Sequence, residues 1–297
     1  MKRKSIQLLL AVALATLAAW AQAAVYTCSI GAPTAFSATY STSSNANAAL
    51  SIAVTCVKTG SGGGTTIVAT VTPNNGGNPS GNQNRATATG TINYDLYTDA
   101  TCATLWPGSG NLTFTFSGGG GSTQTQTVNY YGCVPSAQPL LPAANTFTDT
   151  VSQTLALPTP GGATITGTNP QTFGVSITVP AVCKINPVPG SVNFGTYVAF
   201  GSALTANTTF GVTCNDTLTY GLDIGTTGGV VGGNSLYYTL GINTTASGGS
   251  TPLNGLTGNG IVQSYFINGT MPAGQAGTCA SGSCPNQTET RTLTVTY

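Results

Sequence analysis

Two pairs of aspartates have the spacing that comes nearest to catalytic chemistry. Asp95 and Asp99 flank Tyr97, and Asp216 and Asp223 lie close together further along the chain. Neither spacing favours two facing carboxylates, the arrangement that glycoside hydrolysis requires. The chain contains no histidine, which excludes histidine-based triads, histidine-ligated metals and imidazole proton transfer. We therefore expect a protein that is not an enzyme and that uses neither a cofactor nor a metal.

The composition excludes two further classes of protein. The 297 residues include only 7 Lys+Arg and 6 Asp+Glu, too few basic side chains to neutralise the phosphates of a nucleic acid. The chain also carries 9 Phe and 12 Tyr, whereas disordered chains usually have few aromatic residues and a high net charge. The sequence therefore predicts a folded protein that does not bind nucleic acid.

The first 23 residues have the pattern of a secretory signal peptide. Lys2-Arg3-Lys4 precedes an apolar run, and Ala21-Gln22-Ala23 supplies the small residues of a cleavage site. Cleavage after Ala23 leaves four basic and six acidic side chains, a net charge of −2. No other apolar run approaches the length of a transmembrane helix. We expect an exported chain that passes through the periplasm to the cell surface.

All eight cysteines lie in the mature chain, and their surroundings repeat. The first copy reads Tyr26-Thr27-Cys28-Ser29-Ile30, Phe36, Tyr40 and Val54-Thr55-Cys56, and the second reads Ala181-Val182-Cys183-Lys184-Ile185, Phe194, Tyr197 and Val212-Thr213-Cys214. Such a repeat indicates two tandem copies of one domain. We predict an N-terminal domain over 24–165, a linker over 166–180 and a C-terminal domain over 181–297.

Export permits disulfide bonds, but four cysteines per copy allow three pairings each. The repeat favours one pairing that is common to both copies and a second that is specific to each copy. The inferred pairs are Cys28–Cys56, Cys183–Cys214, Cys102–Cys133 and Cys279–Cys284. A zinc site is the competing use of cysteine, and the lack of paired CxxC motifs and of histidine disfavours it.

Alternation of apolar and polar residues is typical of β-strands and recurs along the mature chain. It is clearest over 67–72, 91–97, 112–116, 173–179 and 290–297. Glycine-rich clusters such as Gly118 to Gly121 separate these runs and are expected to be turns. The sequence shows no amphipathic helical pattern after the signal peptide. The alternation therefore favours antiparallel β-sandwiches over a solenoid, whose repeat would be shorter.

Several motifs, taken in order, resemble the spore coat protein U domain. They are Cys183-Lys184-Ile185, Val192-Asn193-Phe194-Gly195-Thr196-Tyr197, Val212-Thr213-Cys214 and the closing Leu293-Thr294-Val295-Thr296-Tyr297. The N-terminal copy is similar but more diverged, since Ser37 follows Phe36 where the family favours glycine. The family includes the pilins of archaic chaperone-usher pili.

The resemblance implies two tandem immunoglobulin-like, pilin-type sandwiches. Such a pilin domain lacks one strand, and the N-terminal strand of an adjacent pilin subunit fills the resulting groove. A periplasmic chaperone covers the groove beforehand, and an outer-membrane usher assembles the fibre. In the C-terminal domain, Leu293, Val295 and Tyr297 would form the strand at the edge of that groove.

The two ends of the first domain indicate where the chain would sit in a fibre. Ahead of Cys28 the predicted mature chain offers four residues, ~13 Å of strand, against the ~30 Å of a donor strand. Ahead of Cys183, four alternate apolar residues form a candidate strand that completes the first domain in cis: Phe173, Val175, Ile177 and Val179. A subunit that accepts a strand but donates none is expected at the pilus tip.

A tip subunit of this family would be an adhesin, which led us to expect apolar loops in the first domain that attach to an abiotic or host surface and support biofilm formation. The candidate residues are Leu105, Trp106, Tyr130, Tyr131, Val134, Leu140 and Leu141. The alternative for these residues is a place in the core at the end of the sandwich, where large aromatic side chains are often found.

A protein of another class would share these features. A secreted coat or matrix protein that associates with itself through strands would have the same low charge, disulfides and β-content. Such a subunit needs a donor strand of its own ahead of its first domain, and the short segment before Cys28 favours the tip subunit.

Overall fold

The computed structural model describes residues 23–106, 110–136, 138, 145–159, 162–278 and 287–297. The regular structure in these ranges is β-strand throughout, without any helix that could span a membrane. The described chain divides into two compact units: unit 1 holds the residues up to Gln138 and Thr146–Thr178, and unit 2 holds Asn145 and the residues from Val179 onward. The prediction of an all-β fold is confirmed.

The described residues form eleven strands in unit 1. They are β1 (Val25–Ile30), β2 (Phe36–Thr39), β3 (Ala46–Thr59), β4 (Thr65–Pro73), β5 (Asn84–Ala88), β6 (Gly90–Tyr97), β7 (Gly110–Phe116), β8 (Ser122–Val134), β9 (Thr146–Thr159), β10 (Ala163–Ile165) and β11 (Gln171–Thr178). One side of the unit has the order β10-β1-β3-β8-β6, and the other has the order β7-β4-β9-β11-β2. Strand β5 pairs with both β6 and β9 and so joins the two sides.

Alternation places the core of unit 1 between these two sides. Along β3, Leu50, Ile52 and Val54 are buried, while the residues between them are partly exposed. Successive side chains of a strand point to opposite faces of the sheet. The alternation in the sequence therefore gives the sheet one apolar face that points inward and one hydroxyl-rich face that points to solvent.

Unit 2 is built in the same way from fewer and shorter strands. The described residues form β12 (Cys183–Ile185), β13 (Leu204–Cys214), β14 (Thr219–Asp223), β15 (Gly228–Val231), β16 (Leu236–Asn243), β17 (Leu253–Thr257), β18 (Gln263–Met271) and β19 (Thr294–Thr296). One sheet has the order β12-β13-β18-β16-β15 and the other β17-β14-β19. Phe210, Leu222, Ile242 and Tyr265 lie at the centre of the core.

Disulfide bonds occupy matching places in the two units. Cys28–Cys56 joins β1 to β3, and Cys183–Cys214 joins β12 to β13, and in each case the two cysteines lie directly opposite each other. A third disulfide, Cys102–Cys133, lies in unit 1 alone. Three of the pairs inferred from the repeat are thus bonded in the structure, whereas Cys279 and Cys284 lie outside the described residues.

A phenylalanine over a glycine is common to both units. A Cβ atom added to Gly132 in β8 would lie 2.7 Å from the ring of Phe36, and one added to Gly269 in β18 would lie 2.6 Å from the ring of Phe194. Each glycine pairs with the alanine eight residues before the second disulfide cysteine of its unit. Because only glycine leaves room for the ring, the repeat seen in the cysteines extends to the packing of the core.

A tyrosine and a glutamine form the second shared contact. In unit 1 the backbone N–H of Gln138 donates to the hydroxyl of Tyr40 at 3.3 Å, and in unit 2 that of Gln275 donates to the hydroxyl of Tyr197 at 2.9 Å. Each glutamine side chain also bonds both the N–H and the carbonyl of one residue in β6 or β16. The two units therefore share a plan that includes their irregular segments.

A buried lysine closes one end of unit 1. Lys58 is 1% exposed, and its ammonium group donates to the carbonyl oxygens of Gly62, Ser117 and Gly119 at 3.1, 2.7 and 3.0 Å. An ammonium group has three N–H donors, and here each finds an acceptor. The lysine thereby holds two glycine-rich turns together, 60–64 and 117–121.

Replacement of Lys58 tests this contact. Lys58→Met keeps the length of the side chain but removes all three donors, so we expect the free energy of unfolding of unit 1 to fall by roughly 2–4 kcal/mol. Guanidinium titration followed by the fluorescence of Trp106 measures it, because cleavage after Ala23 leaves this as the only tryptophan. Lys184→Met, at an exposed position in unit 2, is the control. Equal midpoints for the two variants would contradict the assignment.

Candidate functional site

Strand β11 completes unit 1. It lies between β9 and β2, antiparallel to the first and parallel to the second. Its inward side chains Phe173, Val175 and Ile177 are 4%, 2% and 0% exposed, and Val179, which follows the strand, is also buried. Phe173, Val175 and Ile177 are therefore core residues of unit 1, whereas Val179 belongs to unit 2.

An aromatic series connects β11 to the opposite side of unit 1. The ring of Phe173 lies 6.3 Å from that of Tyr130 in β8, and Tyr130 lies 4.5 Å from Trp106, as measured between ring centroids. All three side chains are buried. Tilted rings at such distances stabilise a core beyond the area that they bury. The contacts of β11 thus reach across the whole sandwich.

The predicted apolar surface is wrong in three of its residues. Trp106 and Tyr130 belong to the aromatic series, and Val134 is 0% exposed. The tryptophan is drawn inward because its backbone N–H donates to the carbonyl of Leu96 at the end of β6, which directs the side chain to the core. Leu105 is 54% exposed.

The remaining residues of that prediction have different outcomes. Tyr131 is half-buried and alternates with Tyr130 along β8. Leu140 and Leu141 lie outside the described residues.

Strand pairing aligns β19 of unit 2 with β9 of unit 1. In unit 1, Val71 of β4 pairs with Leu155 of β9. In unit 2, Leu222 of β14 pairs with Val295 of β19. When Leu222 is matched with Val71, Val295 corresponds to Leu155, and these two residues are 140 positions apart in the chain. A second contact common to both units can test this alignment.

A contact between a tyrosine and a carboxylate, present in both units, gives the same separation of 140 positions between equivalent residues. The hydroxyl of Tyr94 in β6 donates to the carboxylate of Asp149 at 2.7 Å, and Tyr238 in β16 is hydrogen-bonded to Glu289. Each tyrosine lies beside the phenylalanine of its unit, with ring centroids 5.9 and 6.2 Å apart. Asp149 and Glu289 are again 140 positions apart. Both comparisons therefore make β19, with the residues that lead into it, the counterpart of β9.

The two equivalent strands differ in what covers them. In unit 1, β11 pairs with residues 146–153 of β9, β4 pairs with residues 153–159, and Val151 and Leu155 are 0% and 1% exposed. In the described part of unit 2, residues 288–293, the counterparts of 148–153, lie outside the strands, and β19, the counterpart of 154–156, pairs with β14 as 154–156 pair with β4. Leu293 and Val295 are only half-buried, and Tyr297 is 58% exposed. Of the three residues predicted for the edge of a groove, Val295 lies in β19, and Leu293 and Tyr297 flank that strand.

One arginine makes the polar contacts of this edge. The guanidinium of Arg291 donates from Nε to the Tyr238 hydroxyl at 2.8 Å, from Nη1 to Thr226 Oγ1 at 2.8 Å and from Nη2 to the Gly228 carbonyl at 3.2 Å. Nη2 also lies 3.0 Å from the Glu289 carboxylate. The segment before β19 is therefore fastened to the opposite sheet through β15 and β16.

Three of the four aspartates in the two candidate pairs accept hydrogen bonds from groups close to them in the fold. Asp95 accepts hydrogen bonds from the backbone N–H of Asn84 and the side chain of Gln83. Asp99 accepts three backbone N–H groups of the turn that follows it, and Asp223 accepts the Thr251 hydroxyl and a backbone N–H of its own turn. The described residues contain no cluster of carboxylates or thiols that could hold a metal ion.

Sequence reasoning missed the roles of Lys58 and Arg291. Both entered it only as two charges among few. The positions gave a signal nonetheless, because each interrupts the apolar face of an alternating run, Lys58 after Cys56 and Arg291 before Leu293. A charged residue in phase with a buried face must find partners inside the fold.

The fold and the open edge define a class: two sandwich units in tandem, the first completed by its own later strand and the second open beside its last strand. Residues 13–154 match the family described as the Spore Coat Protein U domain. The resemblance read from the sequence is confirmed for this part of the chain. The match falls on the copy that we expected to be the more diverged.

Solved structures were also compared with the chain. A chain of the CsuC–CsuE chaperone–tip adhesion subunit pre-assembly complex, from archaic chaperone-usher Csu pili of Acinetobacter baumannii, is 14% identical with a TM-score of 0.44, covering 91% of this chain and 100% of that chain. The CupB6 tip adhesin of Pseudomonas aeruginosa is 12% identical with a TM-score of 0.35, covering 86% of this chain and 92% of that chain. Curated protein sequences gave no significant match.

The stability of unit 1 is expected to depend on pH through Asp95. Burial raises the pKa of this carboxyl to about 6, although its hydrogen bonds lower it. The folded state therefore prefers the protonated form, whose stabilising contribution is complete at low pH and is lost as the pH rises through 6. We expect unit 1 to gain about 1 kcal/mol between pH 7 and pH 5, after allowing for the partial exposure of the group.

Trp106 fluorescence in guanidinium titrations at both pH values measures this gain. Asp95→Asn should abolish it. Asp99→Asn is the control, because hydrogen bonds lower the pKa of Asp99 to about 2, so its own contribution changes only at lower pH. A gain that persists in Asp95→Asn would show that another group titrates.

Proposed function

We propose that the chain is the non-enzymatic tip subunit of an archaic chaperone-usher pilus. One observation carries the proposal: β11 pairs with residues 148–153 in unit 1, whereas in the described part of unit 2 no strand pairs with their counterparts at 288–293. An open strand edge beside half-buried apolar residues is a template for a further strand. In this function, unit 2 accepts the donor strand of the adjacent pilin subunit by β-augmentation.

The arrangement of unit 1 supports a place at the end of the fibre. Strand β1 begins at Val25 and is paired with β3 along its length and with β10 over Tyr26–Cys28. With cleavage after Ala23, the mature chain has one residue, Ala24, ahead of this strand. Unit 1 is already complete, and its first strand is held in its own sheet. The chain would thus receive a strand and give none.

The proposal names the partners of assembly. The family resemblance implies a periplasmic chaperone that covers the open edge of unit 2 and an outer-membrane usher that passes the subunit to the cell surface. Coverage is required physically, because an open edge with exposed apolar residues aggregates. The protein would then lie at the fimbrium tip.

Assembly gives the first test of this function. Co-expression with the cognate chaperone should yield a stoichiometric complex, and immunogold labelling of piliated cells should mark fibre ends only. A stable full-length monomer without chaperone would count against the open edge. Gold along the shaft would exclude the tip and favour the self-associating coat protein.

Adhesion through unit 1 is the second part of the proposal. Leu105 is a large apolar side chain at 54% exposure, beside the buried Trp106. Since Leu140 and Leu141 complete the apolar loops predicted from the sequence, we propose that these three leucines meet the surface. A hydrophobic abiotic or host surface suits them, because the mature chain brings few charges to such a contact.

Substitution of these leucines tests adhesion separately from assembly. The triple variant Leu105→Ser, Leu140→Ser, Leu141→Ser should reduce attachment of piliated cells to polystyrene several-fold, because apolar contact area is lost, with unchanged numbers of pili. Ile165→Ser, at another exposed position in unit 1, is the matched control. Unchanged attachment of the triple variant would place the adhesive surface elsewhere.

A further inference from the structure

The open edge of unit 2 carries a charged residue at an inward position where the filled edge of unit 1 carries an apolar one. In unit 1, Val151 of β9 lies directly opposite Phe173 of β11. The spacing of 140 residues, set by the tyrosine–carboxylate contact and consistent with the strand pairing, places Arg291 at the position of Val151. A strand that completes unit 2 in the register of β11 would therefore set one of its inward side chains opposite Arg291.

Arg291 and Glu289 retain exposure that such a strand would remove. Their side chains are 23% and 31% exposed, although the guanidinium already contacts four groups of unit 2. A guanidinium has five N–H donors, and the contacts of the described residues leave one of them for a further acceptor. Covering an ion pair is costly when its remaining donors lose water without finding a partner.

A phenylalanine would be a poor neighbour for this pair. Phe173 suits unit 1 because Val151 is small and apolar and because Tyr130 offers a ring. Opposite Arg291 a phenyl ring would exclude water and accept no hydrogen bond. Stacking on the guanidinium offers little compensation, because Arg291 already lies 5.5 Å from the centroid of the Tyr238 ring.

We infer that Arg291 selects the strand that unit 2 accepts. The partner is a strand of another subunit that carries a short hydrogen-bond acceptor, Ser, Thr, Asn or Asp, opposite Arg291. A copy of β11, with Phe173 at that place, is rejected. Two copies of this chain therefore do not complete one another through β11, and unit 2 stays open for a different subunit. This inference rests on the proposed function.

Two synthetic peptides test the selection on the full mature chain with its disulfides intact. One has the sequence of residues 171–179, and the other carries Phe173→Thr. The chain is refolded from guanidinium with each fluorescein-labelled peptide, and binding is measured by anisotropy. We expect the Phe173→Thr peptide to bind roughly tenfold more tightly. Hydrogen exchange should show protection at 287–297, which locates the peptide in unit 2.

Three variants of the chain serve as partners in the test. Arg291→Val restores the residue type of unit 1 and should reverse the preference. Arg291→Lys keeps the charge and should retain it, which guards against a variant that fails to fold. Arg85→Val removes an arginine whose guanidinium bonds two carbonyls of unit 1 and should leave the preference unchanged.

The outcomes separate the inference from the function on which it rests. Equal affinity of both peptides for the unmodified chain, or the same preference after Arg291→Val, would overturn selection by Arg291 and leave the open edge in place. Failure of both peptides to bind any form of the chain would overturn the open edge itself.

Discussion

The apolar face of the last sandwich strand must be covered by another strand, and both units are organised around this requirement. Unit 1 meets it within the chain, since β11 places three apolar side chains between β9 and β2. Through Phe173 this strand also reaches the aromatic rings on the opposite side of the unit. The same strand is thus a part of the sheet and a part of the core, so unit 1 cannot keep its core without it.

The shared contacts explain how two units of different sequence keep one plan. A ring that fits only above a glycine fixes the separation of β2 from β8, as in Phe36 over Gly132. The tyrosine and glutamine pair satisfies backbone groups where the chain leaves the sheet, as with Tyr40 and Gln138. Neither contact needs charge. The disulfide between adjacent strands adds a constraint that is independent of the rest of the core.

The sequence predicted most of the fold and part of the site. Alternation located β11 and the buried face of Phe173, Val175 and Ile177, because period two is a local property of the chain. The repeat of the cysteines indicated three disulfides of the structure. Trp106 and Tyr130 were assigned to the surface wrongly, since their rings pack on each other and that of Tyr130 also lies beside Phe173. A contact between residues so distant in the chain leaves no local sequence pattern. The position of these residues in or near predicted loops had favoured the surface instead.

Several of the few charged residues in the chain have structural roles inside the fold. Lys58, Asp149 and Arg291 are inward-facing charged residues, and each is bonded to several groups of its own unit. These residues therefore stabilise turns and strand edges and contribute little to the electrostatic potential at the surface. Where unit 1 is closed, the position opposite Phe173 is apolar, and where unit 2 is open, it is charged. In the proposed function, an edge that stays open until a partner arrives would gain from such a charge, because water solvates it in the free subunit. In that function, the arriving strand displaces this water and must offer the guanidinium a hydrogen-bond acceptor in its place.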